Sequence, residues 1–202
     1  MTKTRLEAFS DAVIAIVMTI MVLELRPPGE ASWDAFVDGV APQLGIYALS
    51  FVFLAIYWNN HHHLMHTAKK VNGKILWANM HLLFWLSLTP FVTAWVGEHF
   101  GDVSAAAYGG VLLLSAIAYY ILQGQILVTH GPSSPLRAAL GSDLKGKASP
   151  ILYATAIVMA FISRWVAIAI YVLVALIWLV PDKRIESIYD ELEPVGPEPK
   201  TI

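Results

Sequence analysis

Residues 5–26 read R-L-E-A-F-S-D-A-V-I-A-I-V-M-T-I-M-V-L-E-L-R, from Arg5 to Arg26. The run is long enough to cross a bilayer, which takes about 20 mostly apolar residues. It nevertheless carries Arg5, Glu7 and Asp11 at one end and Thr19 in its middle. Ionisable groups at the edge of a spanning helix are unfavourable and tend to mark functional positions. The expectation is a first helix that lines an ion path and is positioned by the others. Lys3 and Arg5 ahead of an apolar run also suit a signal peptide. Asp11 interrupts that pattern, however, and the run ends in Glu24-Leu25-Arg26-Pro27-Pro28 rather than at a small-residue cleavage site. The segment is read as a retained helix.

Composition extends the membrane assignment to the whole chain. Of its 202 residues, 57% are hydrophobic and only 14% charged, where a soluble domain carries about a quarter charged residues. The fold class expected is all-α and integral to the lipid bilayer. No basic block points to nucleic acid, and the absence of cysteine removes disulfides and Cys-based metal sites. Apolar segments cover 5–26, 41–60, 75–97, 104–129, 149–163 and 165–181. The last two are nearly continuous, interrupted at Ser163-Arg164. One helix of that length would be about 45 Å long against a hydrocarbon core of about 30 Å, so a tight hairpin of two short spans is expected. Ser149-Pro150 suits the start of the fifth span, as a cap followed by proline at the first helical position. Pro181 ends the sixth.

Six spans put Lys3, Arg5, Lys69, Lys70, Lys74, Arg137, Lys145, Lys147, Lys183, Arg184 and Lys200 on one side, and only Arg26 and Arg164 on the other. The positive-inside rule makes the first side cytoplasmic, with both termini there. Five spans would send Lys183 and Arg184 outside. Trp33, Trp58, Trp77, Trp95, Trp165 and Trp178 fall near span ends, as interfacial anchors do. Residues 1–182 form the membrane domain, and 183–202, with Pro194, Pro197 and Pro199, a short cytoplasmic tail.

At 100° per residue, Arg5, Phe9, Ala12, Ile16, Thr19, Ile20 and Leu23 lie within about 60° of one direction, and Ser10 and Asp11 point away. The stripe is apolar with a single hydroxyl layer, and the Arg5/Asp11 pair sits at the cytoplasmic end. Ordinary helix packing accounts for such a stripe. Several copies around an axis would instead make rings of isoleucine and leucine, which close a pore by dewetting.

Here the chain resembles a known family. Arg5, Phe9, Ser10 and Asp11 make an R-x-x-x-F-S-D pattern opening the first span, similar to the signature of the endolysosomal potassium-channel family. The likeness continues through Tyr57-Trp58 and the histidines closing span two, Asn79-x-x-Leu82 in span three, and Pro90-Phe91 near its end. It covers about the first half of the chain, and the second half by span count. The resemblance implies a potassium-permeable, cofactor-free channel of a prokaryotic plasma membrane. Four copies would put their first helices around a central pore, since this chain has one F-S-D where two-repeat members have two. It also implies an apolar constriction at Ile16, Ile20 and Leu23 and a selectivity layer at Thr19, residues that the helical projection selects on its own.

No T-V-G-Y-G-like sequence is present, so ions are not stripped by a carbonyl cage. Partial dehydration in an apolar ring favours potassium over sodium and, with Thr19 hydroxyls, gives modest selectivity for potassium among monovalent cations. Span two closes N-N-H-H-H-L-M-H. His62, His63 and His66 have spacings that could bind a metal, but the other histidines are isolated and no matching cluster recurs. Hydrogen bonding to Arg5, Ser10 or Asp11 is the alternative. On that reading Arg5, Phe9, Ser10, Asp11, Trp58 and His62 form a structural or gating network that offsets a buried charge. His81 fits a satisfied core histidine. Gly97-x-x-x-Gly101 and Gly109-Gly110 suit close helix approach. Glu24, near the outer mouth, suits facing water or else concentrating cations, and Glu30, Asp34, Asp38, Glu98 and Asp102 make the outer loops acidic, consistent with attracting cations. Two further readings stay open: an ion-coupled transporter using Asp11 and the histidines, against which no interrupted span is evident, and a metal-dependent membrane enzyme built on the His cluster.

Overall fold

The computed structural model describes residues 2–68, 70–129 and 144–179, and every regular element among them is helical. Helix α1 (Lys3–Leu23) starts at Thr2, whose hydroxyl accepts from the Arg5 backbone N–H, and stops ahead of Pro27-Pro28. A short α2 (Trp33–Ala35) leads through one π turn (Phe36–Val40) into α3 (Ala41–Thr67). Asn72 then caps α4 (Gly73–Ser87) by accepting from the Ile75 N–H at 2.9 Å. After Leu88 the chain re-enters helix as α5 (Thr89–Glu98), followed by α6 (Asp102–Val128), α7 (Leu144–Ala160) and α8 (Arg164–Leu179).

Four helical runs are long and apolar enough to cross a membrane: Lys3–Leu23, Trp33–Thr67, Gly73–Glu98 and Asp102–Val128. Arg164–Leu179 is shorter and equally apolar. The chain is therefore an all-helical membrane protein with several membrane-capable helices. Its second run, of 35 residues, is about 52 Å long, well beyond the expected 41–60. The histidines lie within α3, His66 in its last turn. The third run is divided at Leu88 because Pro90 lacks the N–H that an unbroken helix needs there. The expectation of uninterrupted spans fails at that point.

The apolar 149–163 and 165–181 segments do turn back on each other, through Phe161, Ile162 and Ser163. Ser163 N–H bonds to Met159 O at 2.7 Å and its carbonyl accepts from Val166 at 3.1 Å, so three residues complete the reversal. The start of α7 differs from the sequence reading. Pro150 is inside the helix and Ser149 is no cap: its hydroxyl donates to Lys145 O and accepts from Trp178 Nε1, both at 2.8 Å. Lys69, Arg137, Pro181 and the tail 183–202, with Lys183, Arg184 and Lys200, lie outside the described residues.

Helix α6 runs through two apolar cores. One joins it to α1, α3 and α4 through Leu6, Ile14, Met21, Leu54, Leu82 and Leu122. The other joins it to α3, α5, α7 and α8 through Phe53, Tyr108, Tyr153, Tyr171 and Val174. Two glycines permit the closest approaches. A methyl group on Gly97 would touch Gln43 and Ile46 of α3 at 3.4 Å, and one on Gly109 would overlap the Tyr171 ring. Gly110 faces open space.

Polar ties mark the two ends of the bundle. At one, Lys3 Nζ donates to His66 O at 2.7 Å, joining the start of α1 to the end of α3. At the other, Arg26 pairs with Glu98 at 3.0 Å, and Arg164 lies 4.0 Å from Asp102 and 5.1 Å above the Phe100 ring. Trp33, Trp77 and Trp165 are exposed near helix ends.

Candidate ion path on the first helix

Burial divides α1 into two faces. Leu6, Ser10, Ile14, Val17 and Met21 recur every three or four residues and are buried against α3, α4 and α5. The opposite face carries Phe9, Ile16, Thr19, Ile20 and Leu23, all uncovered in the single chain. Ile16 is 55% exposed, Ile20 41% and Leu23 78%. Beside this stripe runs an open groove of about 510 Å³, bounded by Ile16, Ile20, Glu24, Pro90 and Phe91.

The Thr19 hydroxyl lies 3.0 Å from both Ala15 O and Ile16 O. A hydroxyl has one proton and two lone pairs. Donating that proton to its own helix leaves the exposed oxygen an acceptor, suited to a cation.

What fixes the rotation of α1 is a chain of buried hydrogen bonds. Ser10 Oγ donates to Leu6 O at 2.8 Å and accepts from Asn79 Nδ2 at 2.8 Å. With its NH2 group on Ser10, Asn79 turns its carbonyl oxygen to His61 Nε2, 2.7 Å away. A carbonyl only accepts, so Nε2 carries the imidazole proton; Nδ1 is buried and unpaired. Ser10 and Asn79 are fully buried, and His61 is 1% exposed. The chain ties α1 to α4 and α4 to α3. One residue further along α1, Trp58 Nε1 donates to Asp11 Oδ1 at 3.0 Å, a second tie to α3.

Towards the other end, Thr93 Oγ1 donates to Ser50 Oγ at 2.7 Å, and Ser50 meets Tyr108 Oη at 3.0 Å. This buried layer joins α5, α3 and α6. Arg26–Glu98 ties the segment after α1 to the end of α5.

Of the expected network, the structure brings Ser10, Asp11 and Trp58 onto the α1–α3–α4 contact. His62 is adjacent, stacked on Trp58 at 6.1 Å between ring centres and 5.7 Å from both His63 and His66. Phe9 is 47% exposed. Arg5 is exposed, and among the described residues no ion pair joins it to Asp11. Six residues along a helix is a turn of 240° at 100° each, which sends the two side chains to different faces. The charged neighbours that do pair are Lys3 and Glu7, at 3.8 Å.

His61 and Asn79 are the residues the network reading omitted. The signal was available in the spacing of Ser50, Phe53, Leu54, Tyr57, His61 and Leu64, one helical stripe that singles out His61 among its neighbours. His81 is no core residue: it is exposed and accepts from Trp85 Nε1 at 2.9 Å. Among the described residues, no three His, Asp or Glu side chains are grouped to hold a metal ion.

Comparison with known proteins identifies the family. Residues 5–90 match the model of the endosomal/lysosomal potassium channel TMEM175 family. A potassium channel of Chryseobacterium sp. is 54% identical over 188 residues, spanning 93% of this chain and 97% of the relative. A potassium channel of Streptomyces collinus is 27% identical over 184 residues, 85% of this chain and 89% of the relative. The crystal structure of a lysosomal potassium-selective channel TMEM175 homolog from Chamaesiphon minutus superposes with a TM-score of 0.73. It is 25% identical and covers 88% of this chain and 96% of that one. The chain belongs to the TMEM175 family of potassium channels.

Proposed function

We propose that four copies of this chain assemble around their first helices, and that potassium passes down the axis between the exposed faces of α1. The protein is a potassium-permeable channel and not an enzyme. The finer reading rests on one observation: the apolar stripe of Ile16, Ile20 and Leu23, with Thr19 inside it, stays uncovered while the opposite face of α1 is held by buried hydrogen bonds. In a tetramer the groove beside the stripe would receive the neighbouring copy.

On this reading Ile16, Ile20 and Leu23 form rings that an ion crosses only after losing part of its hydration, a barrier that widening or wetting lowers. Potassium gives up water more readily than sodium, and the Thr19 oxygens replace part of the lost shell. Ser10, Asp11 and Trp58, together with His61 and Asn79, are the mount. Arg5, Phe9 and His62 border it. Each subunit would cross the plasma membrane of a prokaryote six times, with both termini cytoplasmic. The grouping of Lys70, Lys74, Lys145 and Lys147 towards the Lys3 end, opposite Arg26 and Arg164, supports that orientation. No cofactor enters the mechanism.

The test is single-channel recording of purified protein in planar bilayers. Ile16→Asn is expected to raise potassium current by wetting the ring; current unchanged from wild type would move the constriction off Ile16. Transporter-scale flux without unitary currents would refute passive conduction.

A further inference from the structure

Between α3, α6, α7 and α8 lies a cavity of about 50 Å³. None of its described lining residues belongs to α1. Its apolar wall includes Phe53, Ile56 and Ala116, and Tyr57, Gln123 and Tyr153 are among the polar side chains that also line it. Gln123 is 6% exposed and Tyr153 3%. Among the described residues, no hydrogen bond reaches the Gln123 amide or either hydroxyl. Of the other polar lining residues, Asn60 Nδ2 donates to Ile56 O at 2.8 Å, Tyr119 Oη to Asn60 O at 3.2 Å and Trp178 Nε1 to Ser149 Oγ at 2.8 Å, while Tyr120 is exposed.

Buried amides and hydroxyls are unfavourable when left unpaired, so the three groups constrain what fits. No Asp, Glu, Lys, Arg or His is among the described lining residues, and an ion there would lack a counter-charge. A water needs about 10–15 Å³ and two to four polar partners. About three to five waters would share these few polar groups against a mainly apolar wall. A single hydroxyl can instead donate to one of these groups and accept from another, while a short alkyl stem rests on Phe53, Ile56 and Ala116.

We propose that this cavity binds a small uncharged molecule carrying one hydroxyl on a short alkyl stem, in chemical class a short-chain alcohol. Tyr57 adjoins Trp58, whose indole holds Asp11, so an occupant bears on the turn of α3 that mounts the pore helix. That consequence rests on the channel reading above; the binding itself does not.

The test is diffraction from crystals of the full chain grown with bromoethanol, using the anomalous signal of bromine. Wild type is expected to show bromine inside the cavity, with the hydroxyl within hydrogen-bond reach of Gln123, Tyr57 or Tyr153. Ala116→Leu, which fills the apolar wall, should lose that signal. Gln123→Leu, which keeps the volume but removes the amide, should reduce it while the protein stays monodisperse. Bromine absent from the wild-type cavity, ordered water alone within it, or an undiminished signal in both variants would overturn the assignment. Conduction enters neither arm, so failure here leaves the ion path untouched.

Discussion

Leucine in place of Asn79 would strand one neighbour of the mount and spare the other, and that asymmetry can be measured. Ser10 would keep its bond to Leu6 O. His61, 1% exposed, would lose the one partner that its Nε2–H has among the described residues, while its Nδ1 is already unpaired among them. A buried polar group deprived of its partner costs about 1–3 kcal/mol. Hydrogen bonds between membrane helices average about 0.6 kcal/mol and reach about 1.7. Asn79→Leu should therefore destabilise the bundle by about 1–3 kcal/mol, roughly 5- to 150-fold in the folding equilibrium. Ser10→Ala should have the smaller effect, since Asn79 then still holds His61. Adding His61→Leu to Asn79→Leu removes the stranded imidazole, so the double variant should be more stable than the sum of the singles by about 1 kcal/mol or more. Reversible unfolding of the detergent-solubilised protein by sodium dodecyl sulfate reads all four species. Strict additivity would refute the hydrogen-bonded chain as the element that fixes α1.

Thr19→Val keeps the shape of the side chain and removes the oxygen; the expected result is a lower potassium-to-sodium permeability ratio with assembly intact. Reversal potentials under bi-ionic conditions check it, and an unchanged ratio would remove Thr19 from selectivity. Asp11→Asn retains an oxygen for the Trp58 indole and should leave assembly near wild type. Asp11→Ala loses that acceptor and about 1 kcal/mol, so size-exclusion profiles of the two variants should separate; identical profiles would refute the Asp11–Trp58 tie. Gly109→Ala meets the Tyr171 ring and should destabilise by about 1–3 kcal/mol as overpacking does. Gly110→Ala meets nothing and should be neutral or stabilising, by up to about 1 kcal/mol. Thermal unfolding midpoints in detergent discriminate the two.

The two faces of α1 were legible because a 100° period sorts its residues without reference to any neighbour. Ser10 and Asp11 separate from Ile16, Thr19, Ile20 and Leu23 on arithmetic alone, and burial follows the same division. The α7–α8 reversal was legible from length, since a membrane bounds how long an apolar run stays straight. Partner choice was not. His61, His62 and His63 differ by one step of rotation each, and although the buried stripe of α3 singles out His61, only the position of α4 gives it Asn79 as partner. The supposed Arg5–Asp11 pair treated closeness in sequence as closeness in space. The Ser149-Pro150 start signal was overridden by packing. Once Trp178 of α8 donates to Ser149, that residue is part of a helix pair and cannot serve as a terminus.

Why Ser10 and Asp11 lie on the face turned away from the proposed ion path follows from the solvent. In water, a helix with one apolar stripe is oriented by burying it. In a bilayer the lipid tails are as apolar as leucine, so burial distinguishes one rotation of α1 from another only weakly. A rotation of 100° would exchange the stripe of Ile16, Ile20 and Leu23 for its neighbours at little hydrophobic penalty. Directional hydrogen bonds supply the missing preference. Ser10 to Asn79 and Asp11 to Trp58 come from consecutive residues, 100° apart around the helix, and attach α1 to two different helices, as fixing a rotation requires. Because these ties lie near the Lys3 end, Leu23 is about three and a half turns away and depends on other restraints, among them Thr93 Oγ1 against Met21 Sδ at 4.0 Å and the Arg26–Glu98 pair. The constriction can thus be built from residues that make no specific bond. Their exposure in the single chain follows from that division, and it would leave the proposed apolar rings free to differ between relatives so long as the mount is kept.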